Sequence, residues 1–564
     1  MMRLVRIRVL LCCFLVILTM GPSFISAQEK TGNENQPALH FTTRYQTEIS
    51  ADAGRYHLRF SDVQWNPETT AVIVCDMWDS HHCVNAVRRV GQLAPRIDAF
   101  CKTLRQRGVT IIHAPSSCME TYASHPSRLR AKAVPAAKKF PADIATWCDQ
   151  IPSEEKAAYP VDQSDGGEDD ETLEHKLWAE RLAAIGRNPR SPWKAQVARI
   201  AIDADKDYIS DSGTEIWSIL TNKGIEQVVL VGVHTNMCVL GRPFGLRRLS
   251  AAGKQVVLCR DLTDTMYNPD AWPFASHFTG TDLVVSHIEK FVCPTITSDQ
   301  ILGGQPLRFA KDNRPRLVML VAEDEYETEH TLPPFAAKHL SKNFSVQILY
   351  GSETERHHIE GMSAVRSADA ILVSVRRRAL GAADMSLLQE FVASGKPVIG
   401  IRTASHAFSL RGKLAPDGKA VWDKFDAEVF GGNYSGHYGN NLKSTLSMQL
   451  THDSDPILAS TSPAVILPGG SLYKTAPLAP GANTLLLGKI ESEEAEHPVA
   501  WTFVRGDGGR SFYTSLGHKV DFAQPEFEAL LSAGIHWACG LPAPTLQETI
   551  AQNKRYANGK GKQR

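Results

Sequence analysis

The chain alternates short apolar runs with segments whose apolar residues recur every three or four positions. From residue 70, the runs at 71–75, 109–112, 228–232 and 255–258 are apolar apart from Thr110 and Gln255, and segments with helical spacing, such as 84–108, lie between them. Strands buried on both faces read as continuous apolar runs, and the helices between them make the crossovers of a parallel sheet. The pattern predicts a doubly wound α/β domain over residues 70–302.

A second series of the same kind begins after residues 303–315, which we interpret as a linker. Apolar strand runs alternate with helical segments from residue 316, and a more β-rich stretch follows to about residue 540. The two series show no obvious repeat of each other. We therefore predict two different three-layer α/β/α domains with mainly parallel sheets, the second over residues 316–545, followed by a polar tail over 546–564.

The start of the chain has the pattern of a secretory signal peptide. Three arginines precede the apolar residues 9–20, and Ser26-Ala27 would permit cleavage before Gln28. A membrane anchor needs about 20 apolar residues, so this run is too short for one. We predict a signal peptide at 1–27 and an N-terminal extension at 28–69. The protein would be exported to the periplasm or the extracellular space, without stable membrane insertion.

Composition narrows the classes of partner. The chain has 564 residues, of which 43% are hydrophobic and 22% charged, so it has the composition of a globular protein rather than a disordered or coiled-coil one. Lys+Arg and Asp+Glu both total 61, and a balanced chain has no general attraction for nucleic acid or anionic membrane. A small-molecule substrate is the expected partner, and a homo-oligomer stays open.

The cysteine content adds one constraint. Nine of the eleven cysteines lie beyond residue 27, and in an exported protein an odd number leaves at least one thiol without a partner in the chain. The sequence cannot determine any pairing.

One cysteine lies where a nucleophile would be expected. Residues 232–239, Gly-Val-His-Thr-Asn-Met-Cys-Val, follow a buried strand and begin a helix. Ligands of open α/β sheets bind at the carboxyl ends of strands, a helix N-terminus favours a thiolate, and its N–H groups can stabilise an oxyanion. Asp76, which ends the first strand, could be a general base for Cys238, and Lys206 could supply a cation. The alternatives are a core thiol, a helix-capping aspartate and a solvated lysine.

These residues resemble the isochorismatase-like cysteine hydrolases, which include nicotinamidases and N-carbamoyl amidohydrolases. The resemblance covers about residues 70 to 290. It implies a triad in which Cys238 attacks a carbonyl, Asp76 takes and returns the proton, and Lys206 stabilises charge. It also implies a non-proline cis peptide at Val233–His234, and it requires no cofactor.

Two departures from that family concern metal and substrate. The second strand leads to residues 113–117, His-Ala-Pro-Ser-Ser, which lack the Asp-x-His metal motif of nicotinamidases. Asp79, His81 and His82 form a different cluster that could bind a divalent metal such as zinc, or could be a polar helix start. After Cys238 the chain reads Leu-Gly-Arg-Pro at 240–243, where relatives usually have Thr or Ala, so the substrate pocket is atypical and the substrate cannot be inherited from a relative. A long insertion between Pro115 and Pro192 contains an acidic segment, 165–171, which we interpret as a solvated loop.

The second domain carries a different motif. Residues 395–406 resemble the strand-to-helix elbow of class I glutamine amidotransferases, but Arg402 occupies the position of the nucleophilic cysteine, which excludes glutaminase activity there. Residues 431–437 and 509–518 resemble the ThuA-like (trehalose-utilisation) domain, a relative without that cysteine. The resemblance implies a ligand-binding role. Its candidate residues, Arg402, His406, His437 and His518, lie in the motif loops, although each histidine could instead bond to nearby backbone.

The sequence therefore predicts an exported hydrolase that uses a cysteine nucleophile on an amide or related small carbonyl compound, fused to a ThuA-like ligand-binding domain. Two alternatives stay open. One is a vinyl-ether hydrolase of the isochorismatase type, and the other is a secreted binding protein in which both enzyme-like domains have lost their chemistry.

Overall fold

A computed structural model describes residues 37–449, 455–462 and 465–560. The predicted signal peptide lies outside these residues. From Ala38 onward the described residues form one compact unit, which contains both predicted α/β parts. None of the helices within the described ranges combines the length and the apolar character needed to cross a membrane.

The first half of the unit is built on one eight-stranded sheet. Its strands lie in the order β2-β1-β8-β7-β6-β3-β4-β5, and all neighbours from β8 to β5 are parallel. The strands are β1 (Leu39–Glu48), β2 (Tyr56–Trp65), β3 (Thr70–Cys75), β4 (Thr110–Ala114), β5 (Tyr208–Ile209), β6 (Gln227–Val233), β7 (Gln255–Asp264) and β8 (Thr295–Ile296). The helices are α1 (Val84–Gln106), α2 (Pro126–Ala133), α3 (Thr172–Ala184), α4 (Gly213–Asn222), α5 (Leu246–Ala251), α6 (His277–Phe291) and α7 (Asp299–Leu302).

The second half has its own eight-stranded sheet, in the order β10-β9-β11-β13-β20-β19-β18-β16. The strands are β9 (Arg316–Ala322), β10 (Ser345–Tyr350), β11 (Ala370–Val375), β12 (Leu380–Gly381), β13 (Val398–Ile401), β14 (Lys419–Ala420), β15 (Gly436–His437), β16 (Ser444–Met448), β17 (Tyr473–Lys474), β18 (Ala482–Ile490), β19 (Glu496–Val504) and β20 (Arg510–Thr514). The helices are α8 (Thr328–His339), α9 (Ala382–Ala393), α10 (Pro456–Ser460), α11 (Pro525–Ala538) and α12 (Leu546–Lys560).

The predicted fold class is confirmed: both sheets are mainly parallel and carry helices and buried apolar clusters on their two faces. In the first sheet, Ile73 and Val72 of β3 point to opposite sides and belong to different apolar clusters. Leu317 and Val318 of β9 do the same in the second sheet. The antiparallel strands β16, β18 and β19 account for the β-rich stretch predicted near the end of the chain.

Residues 39–65 of the predicted N-terminal extension are part of the fold. β1 and β2 form a hairpin with ten paired positions, and β1 also pairs antiparallel with β8 at the edge of the first sheet. Phe41 and Trp65 join the core of the first half, whereas Leu58 packs in a cluster with residues of the second half. The prediction that the sheet begins at residue 70 was wrong because alternating strands at a sheet edge lack the continuous apolar signal of buried parallel strands.

Residues 546–560 of the predicted polar tail form helix α12. α12 lies against both halves: the ring of Tyr556 contacts Trp272 at 4.7 Å between centroids, and Asn553 donates a hydrogen bond to Glu528 at 2.6 Å. Thr549, in the second turn of the helix, is only 2% exposed. The polar composition of this segment therefore belongs to a packed amphipathic helix and not to a frayed end.

Candidate active site

The candidate site forms where β3 and β6 end side by side. These neighbouring strands are parallel, and Cys75 pairs with Gly232. Gly232 has φ +111°, and a Cβ atom there would lie 2.0 Å from the carbonyl oxygen of Cys75. Only glycine permits this close approach, which brings the residues that follow the two strands together.

Asp76 follows β3 directly and is fully buried in a left-handed conformation, with φ 46°. Its Oδ1 accepts a hydrogen bond from the Ser116 N–H at 2.7 Å, and its Oδ2 accepts one from Arg242 Nε at 2.9 Å. Burial raises the pKa of Asp76, and the Arg242 charge and the Ser116 hydrogen bond oppose that shift. The carboxylate is therefore kept available as a proton acceptor inside the protein.

Cys238 lies in a π-helical turn, Thr235–Val239, that follows β6, and the charge of Asp76 acts on its thiol. The expected cis peptide at Val233–His234 is present. Burial and the negative charge of Asp76 raise the pKa of Cys238 well above its ordinary value, and Arg242 opposes the shift. The resting sulfur is thus a protonated thiol next to a carboxylate, as general-base activation requires.

The structure does not bring Lys206 to this site. Its side chain is exposed, and its backbone N–H bonds to Asp203. The neighbouring Asp207 is the buried member of that loop, where it is bound by Arg105 and His113. The assignment of Lys206 as the cation of the triad was wrong; Arg242, one helical turn beyond Cys238, holds that position. Its spacing from the cysteine was the sequence signal that could have identified it.

Part of the long insertion covers the site. The Trp147 ring lies 5.5 Å from the Arg242 guanidinium, and the Cys148 N–H donates to the carbonyl of Gly241 at 2.8 Å. A Cβ atom on Gly241 would lie 2.5 Å from the Trp147 ring, so the close contact depends on that glycine. The insertion therefore shields the Asp76–Arg242 pair from water.

A cavity of about 580 Å³ opens beside Trp147 and reaches Asn236 and Met237, the two residues before Cys238. The residues that line the cavity include a buried ion group. In this group Glu154 accepts hydrogen bonds from Arg247 and His287, each at 2.8 Å. Although burial opposes it, these bonds lower the pKa of Glu154 to about 2. The cavity is thus mixed in character, with fixed charges and aromatic walls.

Histidines and tryptophans that the sequence did not connect with one another form a wall next to the cysteine turn. Trp78 stacks on Trp193 at 4.6 Å, and His81 stacks on both rings. His234 lies edge-on to His81 at 4.9 Å, and both of its ring nitrogens are buried with no hydrogen-bond partner in the described ranges. Burial lowers the pKa of His234 to about 4, so its ring is neutral at neutral pH.

The predicted metal ligands do not converge. Asp79 accepts hydrogen bonds from Arg187 and from the Lys194 N–H. These bonds hold its carboxylate on partners that differ from those of the two histidines. His81 accepts from the Cys83 N–H, and His82 pairs with Glu168 at 3.1 Å. The interpretation of Asp79, His81 and His82 as one metal site was therefore wrong, since backbone and ion-pair partners separate their donor atoms.

Across the described ranges, the one group of His, Cys, Asp and Glu donors close enough to hold an ion is Cys83, Asp169 and Asp170. Its carboxylates already have partners. Asp170 accepts from the first N–H groups of α1, and Asp169 binds Arg89 through both oxygens at 2.7 and 2.9 Å. The acidic segment was wrongly interpreted as a solvated loop, because these two aspartates cap α1 and neutralise a buried arginine.

In the second half, Arg402 stands at the end of β13 with φ 45° and is 3% exposed. Its guanidinium lies under the rings of Tyr326 and Tyr473, at 4.0 and 4.8 Å from their centroids. The residue at the predicted elbow therefore has the left-handed conformation of a nucleophile turn, but its side chain is a cation and not a nucleophile.

The three predicted histidines lie against tyrosine rings near Arg402. His406 is buried and stacks on Tyr434 at 4.5 Å, and His518 lies 5.8 Å from the Tyr326 ring. His437 is exposed, bonds to the neighbouring carbonyl of Tyr438, and lies 6.3 Å from the Tyr473 ring. The structure thus gathers His406 and His518 around Arg402 and leaves His437 at the edge.

The second half of the chain matches a known protein family. Residues 316–538 match the ThuA family model, whose description is trehalose utilisation. This confirms the resemblance predicted for the second half, and we refer to residues 316–538 as the ThuA domain. No curated protein matches the chain significantly.

Several solved structures are similar to parts of the chain, each at low sequence identity. A ThuA-like protein from Bacteroides uniformis is 16% identical with a TM-score of 0.31, over 42% of this chain and 95% of its own. A cysteine hydrolase from Pseudomonas syringae pv. phaseolicola is 17% identical with a TM-score of 0.25, over 42% and 92%. The N-carbamoylsarcosine amidase from Thermoplasma acidophilum is 14% identical with a TM-score of 0.22, over 41% and 97%.

Proposed function

We propose that the first half is a cysteine hydrolase for an amide or related small carbonyl compound, and that the ThuA domain binds a small ligand. One observation carries the first proposal. Asp76 and Cys238 follow the carboxyl ends of adjacent parallel strands, the charge of Asp76 acts on the Cys238 thiol, and Arg242 holds Asp76 at 2.9 Å. A nucleophile, a base and a cation gathered at one place are the components of acyl transfer.

The chemistry follows from the protonation states. The thiol proton passes to Asp76 as the sulfur bonds to the substrate carbonyl carbon and the carbonyl oxygen becomes an oxyanion. When that intermediate collapses, the amine leaves with the proton from Asp76 and a thioester remains. Water then attacks the thioester, Asp76 takes the water proton, and the acid and the free thiol are released. Arg242 favours the ionised carboxylate in both steps, and the scheme requires no metal.

The cavity beside Trp147 indicates a class of substrate. Its volume of about 580 Å³ suits a small molecule, and its lining combines the Glu154–Arg247 pair with Gln150 and aromatic rings. Polar amides, ureides and carbamoyl compounds match this lining better than long acyl chains do. We propose that the substrate approaches the sulfur from this cavity.

We also propose that residues 1–27 direct export. Mass spectrometry of the exported protein should then find Gln28 or a near neighbour as its first residue.

The test is a screen of the full chain against amides, ureides and carbamoyl compounds, with Cys238→Ala as the inactive variant. Cys293→Ala is the matched control, because Cys293 is also a buried thiol, lies two residues before β8 and has no part in the scheme. Substrates that form a slow thioester should add their acyl mass to the Cys238 peptide.

The alternatives give different results. Hydrolysis that survives Cys238→Ala but is lost in Asp76→Asn would indicate vinyl-ether chemistry, in which the sulfur is not acylated. Binding to the cavity without turnover, unchanged in both variants, would indicate a binding protein.

A further inference from the structure

The ThuA domain contains a buried guanidinium whose donors are not used. Arg402 Nη1 donates to the carbonyl of Ser515 at 2.7 Å, whereas its Nε and Nη2 are buried with no hydrogen-bond partner in the described part of the chain. Unused donors of a buried charge cost free energy, because the water they lose on folding is not replaced. Such a group persists where a partner completes it.

Two more arginines lie near the Arg402–His406 turn: Arg377, which bonds to it, and Arg411, whose charge acts on Arg377 and His406. The Arg377 N–H donates to the His406 carbonyl at 3.2 Å, its Nη1 donates to the Ser409 carbonyl at 3.3 Å, and its Nε is buried with no partner among the described residues. Its pKa is lowered, first by burial and then by the charge of Arg411. Among the described residues, Arg377, Arg402 and Arg411 have no carboxylate within ion-pair distance, whereas the adjacent Arg376 pairs with Glu325 at 2.6 Å.

The pKa of His406 reflects the positive charge of the surrounding arginines. Burial, together with the charges of Arg377, Arg376, Arg411 and Arg402, lowers its pKa to about 2. Like charges held this close repel one another, and a protein gains nothing from the arrangement unless a negative group enters it.

The acidic residues nearby do not supply that group. Asp521 is buried and accepts hydrogen bonds from the N–H groups of Gly469, Gly517 and His518. Asp426 accepts from the Tyr434 N–H, and burial raises its pKa to about 7, so it carries only part of a charge at neutral pH. The guanidinium groups therefore keep an excess of positive charge.

The cluster extends to the protein surface. Arg411 is exposed, and Tyr326, Arg377, Tyr434 and His518 are half-buried. The tyrosine rings offer faces on which a sugar-like ring can stack, next to the guanidinium groups.

We propose that Arg377, Arg402 and Arg411 bind the oxyanion group, a carboxylate or a phosphate, of a small polyhydroxylated ligand whose ring lies against Tyr326 and Tyr434. Two guanidinium forks offer the paired N–H geometry that both oxyanions accept. The inference rests on the proposed ligand-binding role of the ThuA domain and assigns its ligand a charge. It does not depend on hydrolysis at Cys238.

The experiment is calorimetric titration of the full chain with four probes: glucuronate, glucose 6-phosphate, inorganic phosphate and glucose. At least one of the two charged sugars should bind at least about tenfold more tightly than glucose, a difference of about 1.4 kcal/mol. Whichever of the carboxylate and phosphate probes binds more tightly identifies the oxyanion. Arg377→Gln and Arg411→Gln should each weaken that binding by about tenfold, since each loses a charged hydrogen bond.

Two variants control for charge and folding. Arg366→Gln removes an exposed arginine elsewhere in the ThuA domain and should leave binding unchanged. Arg411→Lys keeps the positive charge and should retain more of the binding than Arg411→Gln.

Glucose that binds as tightly as both charged sugars, with no effect of Arg377→Gln or Arg411→Gln, would overturn the oxyanion site and leave the ligand-binding role standing. The absence of binding by all four probes at millimolar concentration would overturn both.

Discussion

At the residue scale, desolvation sets the chemistry of both candidate sites. Asp76 and Cys238 are both buried, so each favours its neutral form, and Arg242 is the charge that restores the carboxylate. In the ThuA domain burial acts on Arg377 and Arg402, which have no carboxylate within ion-pair distance among the described residues. The first site pairs its carboxylate with a cation, whereas the second carries an excess of positive charge suited to binding.

The role of Arg242 can be separated from that of Lys206 by thiol alkylation. Arg242 lowers the pKa of Cys238, so in Arg242→Gln that pKa should rise and iodoacetamide should alkylate the thiol several-fold more slowly at pH 8. Lys206→Gln should alkylate at the rate of the unmodified protein, because Lys206 is exposed. Peptide mass spectrometry of the Cys238 peptide gives both rates. Equal slowing in the two variants would return the lysine to the site.

A second residue-scale prediction concerns Asp426. Its pKa is raised by burial to about 7, so between its ordinary value and pH 7 the folded chain binds more protons than the unfolded chain. Stability should therefore fall as pH rises through that window, by up to about 1.4 kcal/mol per pH unit. Asp426→Asn keeps the acceptor for the Tyr434 N–H and should abolish this contribution.

Urea unfolding at pH 5, 6, 7 and 8 measures that slope. Asp423→Asn, at an exposed carboxylate three residues earlier, is the matched control and should retain the slope of the unmodified protein. An unchanged slope in Asp426→Asn would show that Asp426 ionises normally in the folded chain.

At the scale of elements, the insertion does more than connect strands. It places Trp147 against Arg242, Glu154 in the cavity wall, and Asp170 at the N-terminus of α1. Its polar composition resembles that of a solvated loop, yet its charges find buried partners on other elements. A charge run is therefore a poor guide to exposure where arginines and helix ends are close in space.

The covering role of the insertion can be measured directly. Trp147→Ala should open a route to the site, so alkylation of Cys238 should accelerate several-fold while the fold is retained. Leu177→Ala, at a 56% exposed position of α3 in the same insertion, should leave the rate unchanged. Identical rates in the two variants would show that reagents reach the thiol by another path.

At the scale of the whole molecule, the two α/β halves share their stabilising contacts. Arg314, which is buried in the predicted linker, donates to Thr279 at 2.6 Å and to Asp282 at 3.0 Å. Ser345 of the second half also donates to Asp282, at 2.8 Å. With the hairpin β1–β2 and helix α12 bridging the halves, we expect one cooperative unfolding transition.

Arg314→Ala tests this coupling. Removing a buried, multiply bonded charge should lower the free energy of unfolding by about 3 kcal/mol, because Asp312 loses its closest cation and the bonds of Arg314 to Thr279 and Asp282 are lost. Arg316→Ala removes an exposed ion pair with Asp369 within the second half and should cost less than about 1 kcal/mol. Differential scanning calorimetry should show a shifted or split transition only for Arg314→Ala. Equal effects would contradict the proposed coupling.

Much of this organisation could be predicted from the sequence. Continuous apolar runs determined β3, β6, β9 and β13, since strands buried on both faces tolerate few polar residues. The run around Cys238 determined the turn that carries the thiol, and the position of Arg402 excluded a second nucleophile. These are local features, in which neighbouring residues along the chain carry the whole signal.

Tertiary structure alone decided which distant groups meet. Lys206 and Arg242 are both cations that precede or follow Cys238 in the sequence. Only the packing of the turn after β6 brings Arg242 into hydrogen-bond contact with Asp76. The edge hairpin, the partners of the acidic segment and the docking of α12 depend in the same way on contacts far apart in the chain. Burial and ion pairing act through space, so charges that look solvated along a sequence can be the ones that a fold buries and pairs.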